Sequence, residues 1–282
     1  MDASRVPGST NALYSPAVAL QFFKSEGKLQ DIPQGKTIFA ESEKGLPFLL
    51  MRQRMYLLLE GEVSVLAKDT PIATVSKGEI FGEMASINQA PRSAAAVAKT
   101  PCRVIALDDR QFQAALAKRP EFALMLMSVM VHRLRENIGR LSAHDALKGV
   151  PWKEAAVLDE QILAELGQQI GPAARFRYNA GKLIMKEGAV GVVSYVVLDG
   201  RVAITIGNAV MEMVGPGGIF GEMALVERAP RLASAVAETD CTLLAISRLE
   251  FVRLVKNNPR FGAALLSAVS ERARWTASRQ AA

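Results

Sequence analysis

A long internal repeat constrains the fold of this chain more than any other feature of the sequence. The stretch 80–100, IFGEMASINQAPRSAAAVAKT, returns at 219–239 as IFGEMALVERAPRLASAVAET, an offset of 139 residues. A repeat of this length in only two copies excludes a solenoid. We therefore predict a tandem pair of whole domains, at residues 15–148 and 149–282.

The repeat extends well beyond that block. Upstream the offset becomes 146, since GKTIF at Gly35 matches GKLIM at Gly181, so copy 1 has seven extra residues before Gly61. The join between the copies is predicted near 147–152, where glycine and proline break the helical pattern. The first helix of copy 2 is predicted at about 152–167.

Each copy shows the same order of predicted elements. Short β-type runs with glycine turns, such as MYLLLEG in copy 1 and SYVVLDG in copy 2, are typical of a sandwich or barrel. Helical segments flank them: Ser15, Pro16 and Gly27 are residue types that begin and end a helix, and Pro120 and Pro259 each begin another. The predicted fold class is mainly β with flanking helices.

The composition excludes several classes of protein. Two cysteines and two histidines in 282 residues exclude a disulfide scaffold and leave little material for a histidine-built metal site. Cys102 and Cys241 occupy equivalent apolar strands and are predicted to be core thiols. The net charge of +6 is too small to indicate nucleic-acid binding by itself. The few histidines lead us to predict that the protein uses no metal. No secretory signal or membrane-span pattern occurs, so we predict a cytoplasmic protein.

The repeated block has the residues of an anion-binding site. Its glycine allows positive φ or close approach to a ligand, and the N–H groups of a helix starting at Glu-Met-Ala attract an anion. An arginine nine residues after the glutamate can bind a phosphate through two hydrogen bonds. The glutamate can accept hydrogen bonds from a sugar. One phosphate, one sugar and no dense positive cluster indicate a singly charged cyclic nucleotide rather than a triphosphate.

An alternative interpretation of the same residues is an internal salt bridge between the glutamate and the arginine under a glycine turn. The same pair recurs at the same spacing, and small residues that leave room for a ligand lie near both arginines: Ser93, Ala94 and Ala95 in copy 1, and Ala233 and Ser234 in copy 2. This recurrence favours ligand binding over the salt bridge.

The pattern F-G-E-(L/I/M)-A followed by P-R-x-A resembles the phosphate-binding cassette of the cyclic-nucleotide-binding domain family, over roughly 35–141 and 181–275. The resemblance implies a β-roll, a small jelly-roll-like barrel, in each copy. It also implies that the glutamates hold the ribose 2′-hydroxyl and the arginines hold the cyclic phosphate. The predicted binding residues are Gly82, Glu83, Met84, Ala85, Arg92, Ser93 and Ala94 in copy 1, and Gly221, Glu222, Met223, Ala224, Arg231, Leu232 and Ala233 in copy 2.

Two positions depart from the family pattern. Ser86 stands where leucine is common, and Leu232 stands where a small residue is usual. Family members often use a hydroxyl directly after the arginine to contact the phosphate or guanine, and Ser93 offers one whereas Leu232 does not. Copy 2 is therefore the poorer candidate for a cGMP-selective site, and the sequence favours cAMP over cGMP.

Helical residues outside the block suggest two further roles. Trp152 and Trp275 follow the cassettes and are candidate lids that stack on the base; ordinary helix packing is the alternative. A coiled-coil spacing within 124–141 predicts either a homodimer seam or packing within the chain against its own barrel and copy 2. The seam consists of Leu124, Met127, Val131, Leu134, Ile138 and Leu141.

The function predicted from the sequence is a non-catalytic sensor that binds cAMP or cGMP and changes its helical surface toward an unknown effector protein. We expect no helix-turn-helix module, kinase motif or channel span, because the two copies occupy the sequence. A non-binding tandem scaffold is the first alternative, and a transcription regulator that contacts DNA is the second. An enzyme is the weakest, since no repeated motif places a base beside a nucleophile.

Overall fold

The computed structural model of the chain describes residues 15–42, 53–143, 158–207 and 209–280. These residues form two compact units. One unit contains the strands of copy 1 and the chain from Val269 onward, and the other runs from Leu126 to Ala268 and contains the strands of copy 2. The predicted join near 147–152 lies outside the described residues, so the sequence boundaries 15–148 and 149–282 stay predictions.

The unit with copy 1 is built on eight strands: β1 Lys28–Ile32, β2 Thr37–Phe39, β3 Arg54–Glu60, β4 Val63–Ala67, β5 Thr70–Val75, β6 Ile80–Phe81, β7 Ala95–Ala98 and β8 Cys102–Asp108. They form two four-stranded sheets, in the orders β1-β8-β3-β6 and β2-β7-β4-β5. Every pairing within them is antiparallel.

The unit with copy 2 repeats this arrangement with β9 Arg175–Tyr178, β10 Leu183–Met185, β11 Val193–Asp199, β12 Val202–Ile206, β13 Ala209–Val214, β14 Ile219–Phe220, β15 Ser234–Ala237 and β16 Cys241–Ser247. The sheet orders are β14-β11-β16-β9 and β10-β15-β12-β13, strand for strand those of copy 1. Two antiparallel four-stranded sheets per copy confirm the predicted β-roll.

The core of each β-roll lies between its two sheets. In copy 1 it includes Tyr56, Leu58, Phe81 and Val104, and in copy 2 the equivalent Val197, Phe220 and Leu243. Cys102 and Cys241 are free thiols buried in these two clusters, as predicted. Burial raises the pKa of the Cys241 thiol, because the thiolate loses its hydration there.

Helices flank each β-roll. They are α1 Pro16–Glu26, α2 Glu83–Asn88, α3 Asp109–Lys118, α4 Phe122–Ala143, α5 Glu160–Ile170, α6 Glu222–Glu227, α7 Arg248–Asn257 and α8 Pro259–Gln280, with a 3₁₀ turn at Pro172–Ala174. The predicted ends of α1 are confirmed: the Ser15 hydroxyl accepts from the N–H of Val18, Pro16 begins the helix and Gly27 follows it. No helix within the described ranges is long and apolar enough to cross a membrane.

The first helix of copy 2 differs from its prediction at the C-terminal end. α5 continues through Gly167 to Ile170 and ends at Gly171, which has φ +79°. An isolated glycine inside a helix costs only about 1 kcal/mol relative to alanine, so neighbouring contacts override it. Residues 152–157, where this helix was predicted to begin, lie outside the described residues.

The coiled-coil spacing on α4 is covered by the chain itself. Leu124, Met127, Val131, Leu134 and Ile138 are each at most 8% exposed, while the side chain of Leu141 lies outside the described residues. From Leu126 onward this helix belongs to the unit with the β-roll of copy 2. The burial agrees with the intramolecular interpretation of the spacing, and these five residues present no exposed seam for a homodimer.

Candidate functional site

The first cassette is organised by Gly82 at the end of β6. Gly82 has φ +73°, a left-handed conformation that glycine adopts without strain, and it is the N-cap of α2. The next residue, Glu83, begins α2 and is 1% exposed. A Cβ at Gly82 would lie 3.0 Å from Arg92 Nη1 and 3.1 Å from the Arg54 carbonyl oxygen. The glycine therefore brings the start of α2 directly against the predicted phosphate-binding arginine.

Main-chain carbonyls hold that arginine. Arg92 Nη1 donates to the Gly82 carbonyl at 2.7 Å, and Nη2 donates to the Arg54 carbonyl at 2.7 Å. Its guanidinium carbon lies 4.1 Å from the centroid of the Phe39 ring, a cation–π distance. The side chain is 5% exposed. Phe39 at the end of β2, Arg54 at the start of β3 and Gly82 of the cassette thus fix the position of the guanidinium.

The second cassette reproduces this geometry. Gly221 has φ +79° and is the N-cap of α6, and Glu222 begins that helix at 1% exposure. Arg231 Nη1 donates to the Gly221 carbonyl at 2.6 Å, and Nη2 donates to the Val193 carbonyl at 2.5 Å. Val193 is offset from Arg54 by the same 139 residues as the motif itself.

The electrostatics at Arg231 show a buried cation close to a carboxylate. Burial lowers the pKa of its guanidinium, and the neighbouring Tyr195 and Glu222 oppose that shift. Arginine nevertheless stays protonated at physiological pH. Two of the five guanidinium N–H donors are used on neutral carbonyls, so further donors on this cation can bind an anionic ligand.

The other predicted residues lie around these two arginines. Met84 and Met223 are half-buried, Ala85 and Ala224 are buried on the short helices, and Ser93 is exposed directly after Arg92. The remaining three are Ala94 and Leu232, which are half-buried, and Ala233, which is 8% exposed.

The two candidate lids have different outcomes. Trp152 lies outside the described residues. Trp275 is half-buried on α8 and belongs to the unit with the β-roll of copy 1, where the hydroxyl of Ser270 on the same helix donates to the Met84 carbonyl at 3.4 Å. Trp275 is therefore a candidate lid for the first site, and this role stays a prediction.

Three contacts were missed by reasoning from the motif alone. Phe39 and Met185 face the cassette glycines, since a Cβ built at Gly82 or Gly221 would lie 3.1 Å from Phe39 Cε1 or 3.5 Å from Met185 Sδ. The sequence signal that could have found Phe39 and Met185 is the matched pair of segments GKTIF and GKLIM, which end at these residues. The third missed contact is that of Gly191, where the absence of a Cβ leaves room for the Arg231 side chain.

Substitution of Gly191 tests how tightly the second cassette is packed. A Cβ there would lie 2.7 Å from Arg231 Cζ and Nε and from Ala224 Cβ, closer than packed atoms approach. We expect Gly191→Ala to lower the free energy of unfolding by about 1–3 kcal/mol, the usual cost of overpacking. Urea denaturation measures this. Gly139→Ala is the control, because a Cβ at Gly139 meets nothing within 4 Å; an equal loss in both variants would contradict the close packing.

No group of three or more histidine, cysteine, aspartate or glutamate side chains within the described ranges is arranged to hold a metal ion. The chemistry on offer in each cassette is hydrogen bonding and charge: a buried guanidinium, a buried carboxylate and main-chain amides at the start of a short helix. Such a set can bind a ligand that carries both an anion and hydroxyl groups.

Comparison with known proteins identifies a family domain in both copies. The cyclic nucleotide-binding domain matches residues 29–119 and 175–258, together more than half of the chain. The chain is 30% identical over 188 residues to the cAMP-dependent protein kinase regulatory subunit of Schizosaccharomyces pombe, covering 66% of this chain and 40% of that protein. It is 28% identical over 243 residues to a cGMP-dependent protein kinase of Toxoplasma gondii, covering 86% of this chain and 21% of that protein.

A third relative and two solved structures extend the comparison. The cAMP-dependent protein kinase regulatory subunit of Eremothecium gossypii is 28% identical, with 87% of this chain and 47% of that protein covered. The chain spans less than half the length of these three relatives. The regulatory domain of Toxoplasma gondii PKA with cAMP matches at 20% identity and a TM-score of 0.30, covering 90% of this chain and 95% of that one. The Thermus thermophilus catabolite activator protein matches at 28% identity and a TM-score of 0.41, covering 47% of this chain and 61% of that one.

Proposed function

The chain belongs to the cyclic nucleotide-binding domain family, and we propose that it is a non-catalytic cyclic-nucleotide sensor with two ligand sites that regulates a partner protein. Membership of the family supports cyclic nucleotide binding; the binding by this chain, the preferred nucleotide, the occupied sites and the partner are the proposed part. We place the protein in the cytoplasm, where its two buried thiols stay reduced.

The observation that carries the proposal is the pair of buried arginines, Arg92 and Arg231, each held in place by two neutral carbonyls. A phosphate diester carries a single negative charge and can compensate a buried guanidinium through two parallel hydrogen bonds. Main-chain amides of α2 and α6, at Ala85 and Ala224, extend the same anion site. One such set in each cassette matches one cyclic phosphate, which has fewer charges than a triphosphate.

The buried glutamates suit the sugar. Glu83 and Glu222 are the first residues of α2 and α6 and lie next to the glycines whose carbonyls accept from the arginines. A carboxylate is an acceptor only, so it favours a ligand group that donates, such as a ribose 2′-hydroxyl. A ligand that joins a phosphate to such a hydroxyl within a few ångströms satisfies both residues.

Two observations support cAMP over cGMP. Leu232 follows the second arginine and has no hydroxyl for a guanine, and two of the relatives above are named as regulatory subunits of cAMP-dependent protein kinases. The same two names make a protein kinase catalytic subunit the first candidate for the partner. A kinase partner would contact helices that rearrange when nucleotide binds, because the first cassette contacts α8 and the second is contacted by Arg135 of α4.

Titration calorimetry on the full chain tests the proposed function. We expect two binding events with cAMP per chain, weaker binding of cGMP, and no heat with 5′-AMP, whose open phosphate carries a second charge that the site does not compensate. Absence of heat with both cyclic nucleotides would overturn the proposal and leave the non-binding scaffold as the interpretation.

A further inference from the structure

A short segment, 227–230, joins the two binding elements of the second cassette. The helix that starts with Glu222 ends at Glu227, the chain reverses through Arg228 with φ +53°, and Pro230 directly precedes Arg231. Any movement of this segment changes where Arg231 stands relative to Glu222. Contacts to the segment are therefore candidates for setting the geometry of the site.

One side chain of α4 contacts both ends of the segment. Arg135 Nε donates to Glu227 Oε2 at 2.8 Å, and Arg135 Nη2 donates to the Pro230 carbonyl at 3.4 Å. All three residues belong to the same compact unit, although α4 follows the β-roll of copy 1 in the sequence. We call this set of contacts the Arg135 clamp.

The burial of the clamp makes it stronger than an ordinary surface ion pair. The side chain of Glu227 is 8% exposed and that of Arg135 is 28% exposed. Exposed pairs contribute little because water and salt screen them, whereas shielded charge-assisted hydrogen bonds are among the strong ones. His132 Nδ1, one turn earlier on α4, lies 3.9 Å from Glu227 Oε1, so the carboxylate faces two basic side chains of the same helix.

The matched positions in the other repeat lack this pair. The offset of 139 places Arg274 opposite Arg135 and Asn88 opposite Glu227, so a neutral amide replaces the carboxylate. Burial lowers the pKa of the Arg274 guanidinium, and Glu271 on the same helix opposes the shift. One contact of α8 with the first cassette is a neutral hydrogen bond, from the Ser270 hydroxyl to the Met84 carbonyl.

We propose that Arg135 is a positioning residue of the second nucleotide site, which it holds in binding geometry through Glu227 and the Pro230 carbonyl. The proposal rests on the proposed function of the second cassette and adds to it a difference between the two sites: the second is fixed to its helix by an ion pair that has no counterpart at the matched residues of the first. A nucleotide at the second site is thereby coupled to α4.

The test uses the full chain with Arg92→Ala, which removes binding at the first site. It compares this variant with the double variant that also carries Arg135→Gln. We expect Arg135→Gln to bind cAMP roughly tenfold more weakly, the loss of a charge-assisted hydrogen bond. Without nucleotide, amide hydrogen exchange in 222–231 should become faster. The charge-swapped double variant Arg135→Glu with Glu227→Arg should recover much of the affinity, which a purely steric effect would not produce.

Two controls separate the clamp from nearby charges. Arg253→Gln removes an exposed arginine of α7 in the same unit, and Arg274→Gln changes the matched arginine of the other repeat; both should leave cAMP affinity in the Arg92→Ala background unchanged. Unchanged affinity in Arg135→Gln, with or without faster exchange, overturns the positioning role. If the unsubstituted chain binds no cyclic nucleotide, the proposed function fails, and unchanged exchange in Arg135→Gln would then separately overturn the clamp.

Discussion

Replacing Arg231 with alanine is expected to weaken cAMP binding at the second site by at least about a hundredfold, because two hydrogen bonds to a charged group are lost and each contributes roughly 1.5–3 kcal/mol. The first site keeps Arg92 and should bind as before. Titration calorimetry should therefore show one binding event per chain instead of two. Arg92→Ala should give the reciprocal result, and the double variant should bind no cAMP.

Stability measurements separate loss of binding from loss of structure. Each arginine also holds two carbonyls of the β-roll, so the variants must be shown to fold by their thermal melting without nucleotide. Ligand at a hundred times its Kd stabilises a folded protein by about 2.7 kcal/mol, so cAMP should raise the Tm of the unsubstituted chain and not that of the double variant. Arg253→Ala, at an exposed position on α7, is the control. Two remaining binding events in the double variant would contradict the assignment of both arginines.

The second large effect is expected from Phe22→Ala, which should lower the free energy of unfolding by about 3–5 kcal/mol, as for other buried phenylalanines. Phe22 is fully buried, stacks on Phe122 with ring centroids 3.4 Å apart, and meets the edges of Phe23 and Phe112. The cluster joins α1, α3 and the start of α4 beside the β-roll of copy 1. Its loss leaves a cavity that three helices border.

Urea denaturation followed by circular dichroism measures the effect of Phe22→Ala. All four rings lie in the unit with the β-roll of copy 1, so that unit should unfold at a lower urea concentration and separate into its own transition. Leu249→Ala, at a 72% exposed position, is the matched control and should change stability by less than about 0.5 kcal/mol. A similar loss in both variants would contradict the role of the aromatic cluster.

Much of the fold follows from local residue patterns. The N-cap of α1 at Ser15, the run of short strands flanked by helices in each copy and the burial of Cys102 and Cys241 agree with the sequence predictions. The end of α5 does not, because Gly167 is tolerated inside the helix and the chain reverses four residues later at Gly171. Local residue type indicates that a helix can end, but contacts along the whole segment decide where it does.

The candidate binding residues could be predicted from the sequence for a related reason. Glu83 and Arg92 are only nine residues apart, and the turn directly before Glu83 is specified by Gly82 itself, so a single short motif contains both candidate ligand-binding groups and the turn that begins α2. Arg54 and Phe39 also shape the site, but they contribute through a main-chain carbonyl and a ring face. Every residue type has a main-chain carbonyl, so residue type does not show which carbonyl will accept a hydrogen bond. For Phe39 the sequence signal was the matched GKTIF and GKLIM segments upstream of the cassettes.

Residue order alone established that the chain is two copies of one domain and identified the glycine, glutamate and arginine of each cassette, because those relations depend on short spacings and on repetition. Tertiary structure decided which helix accompanies which cassette: α4 joins the unit of copy 2 from Leu126 onward, and α8 joins the unit of copy 1 from Val269 onward. The sequence of a long helix shows that it has an apolar face, but not which β-roll that face packs against. Contacts between residues far apart in the chain, such as Arg135 with Glu227 and Ser270 with Met84, decide which unit each helix joins.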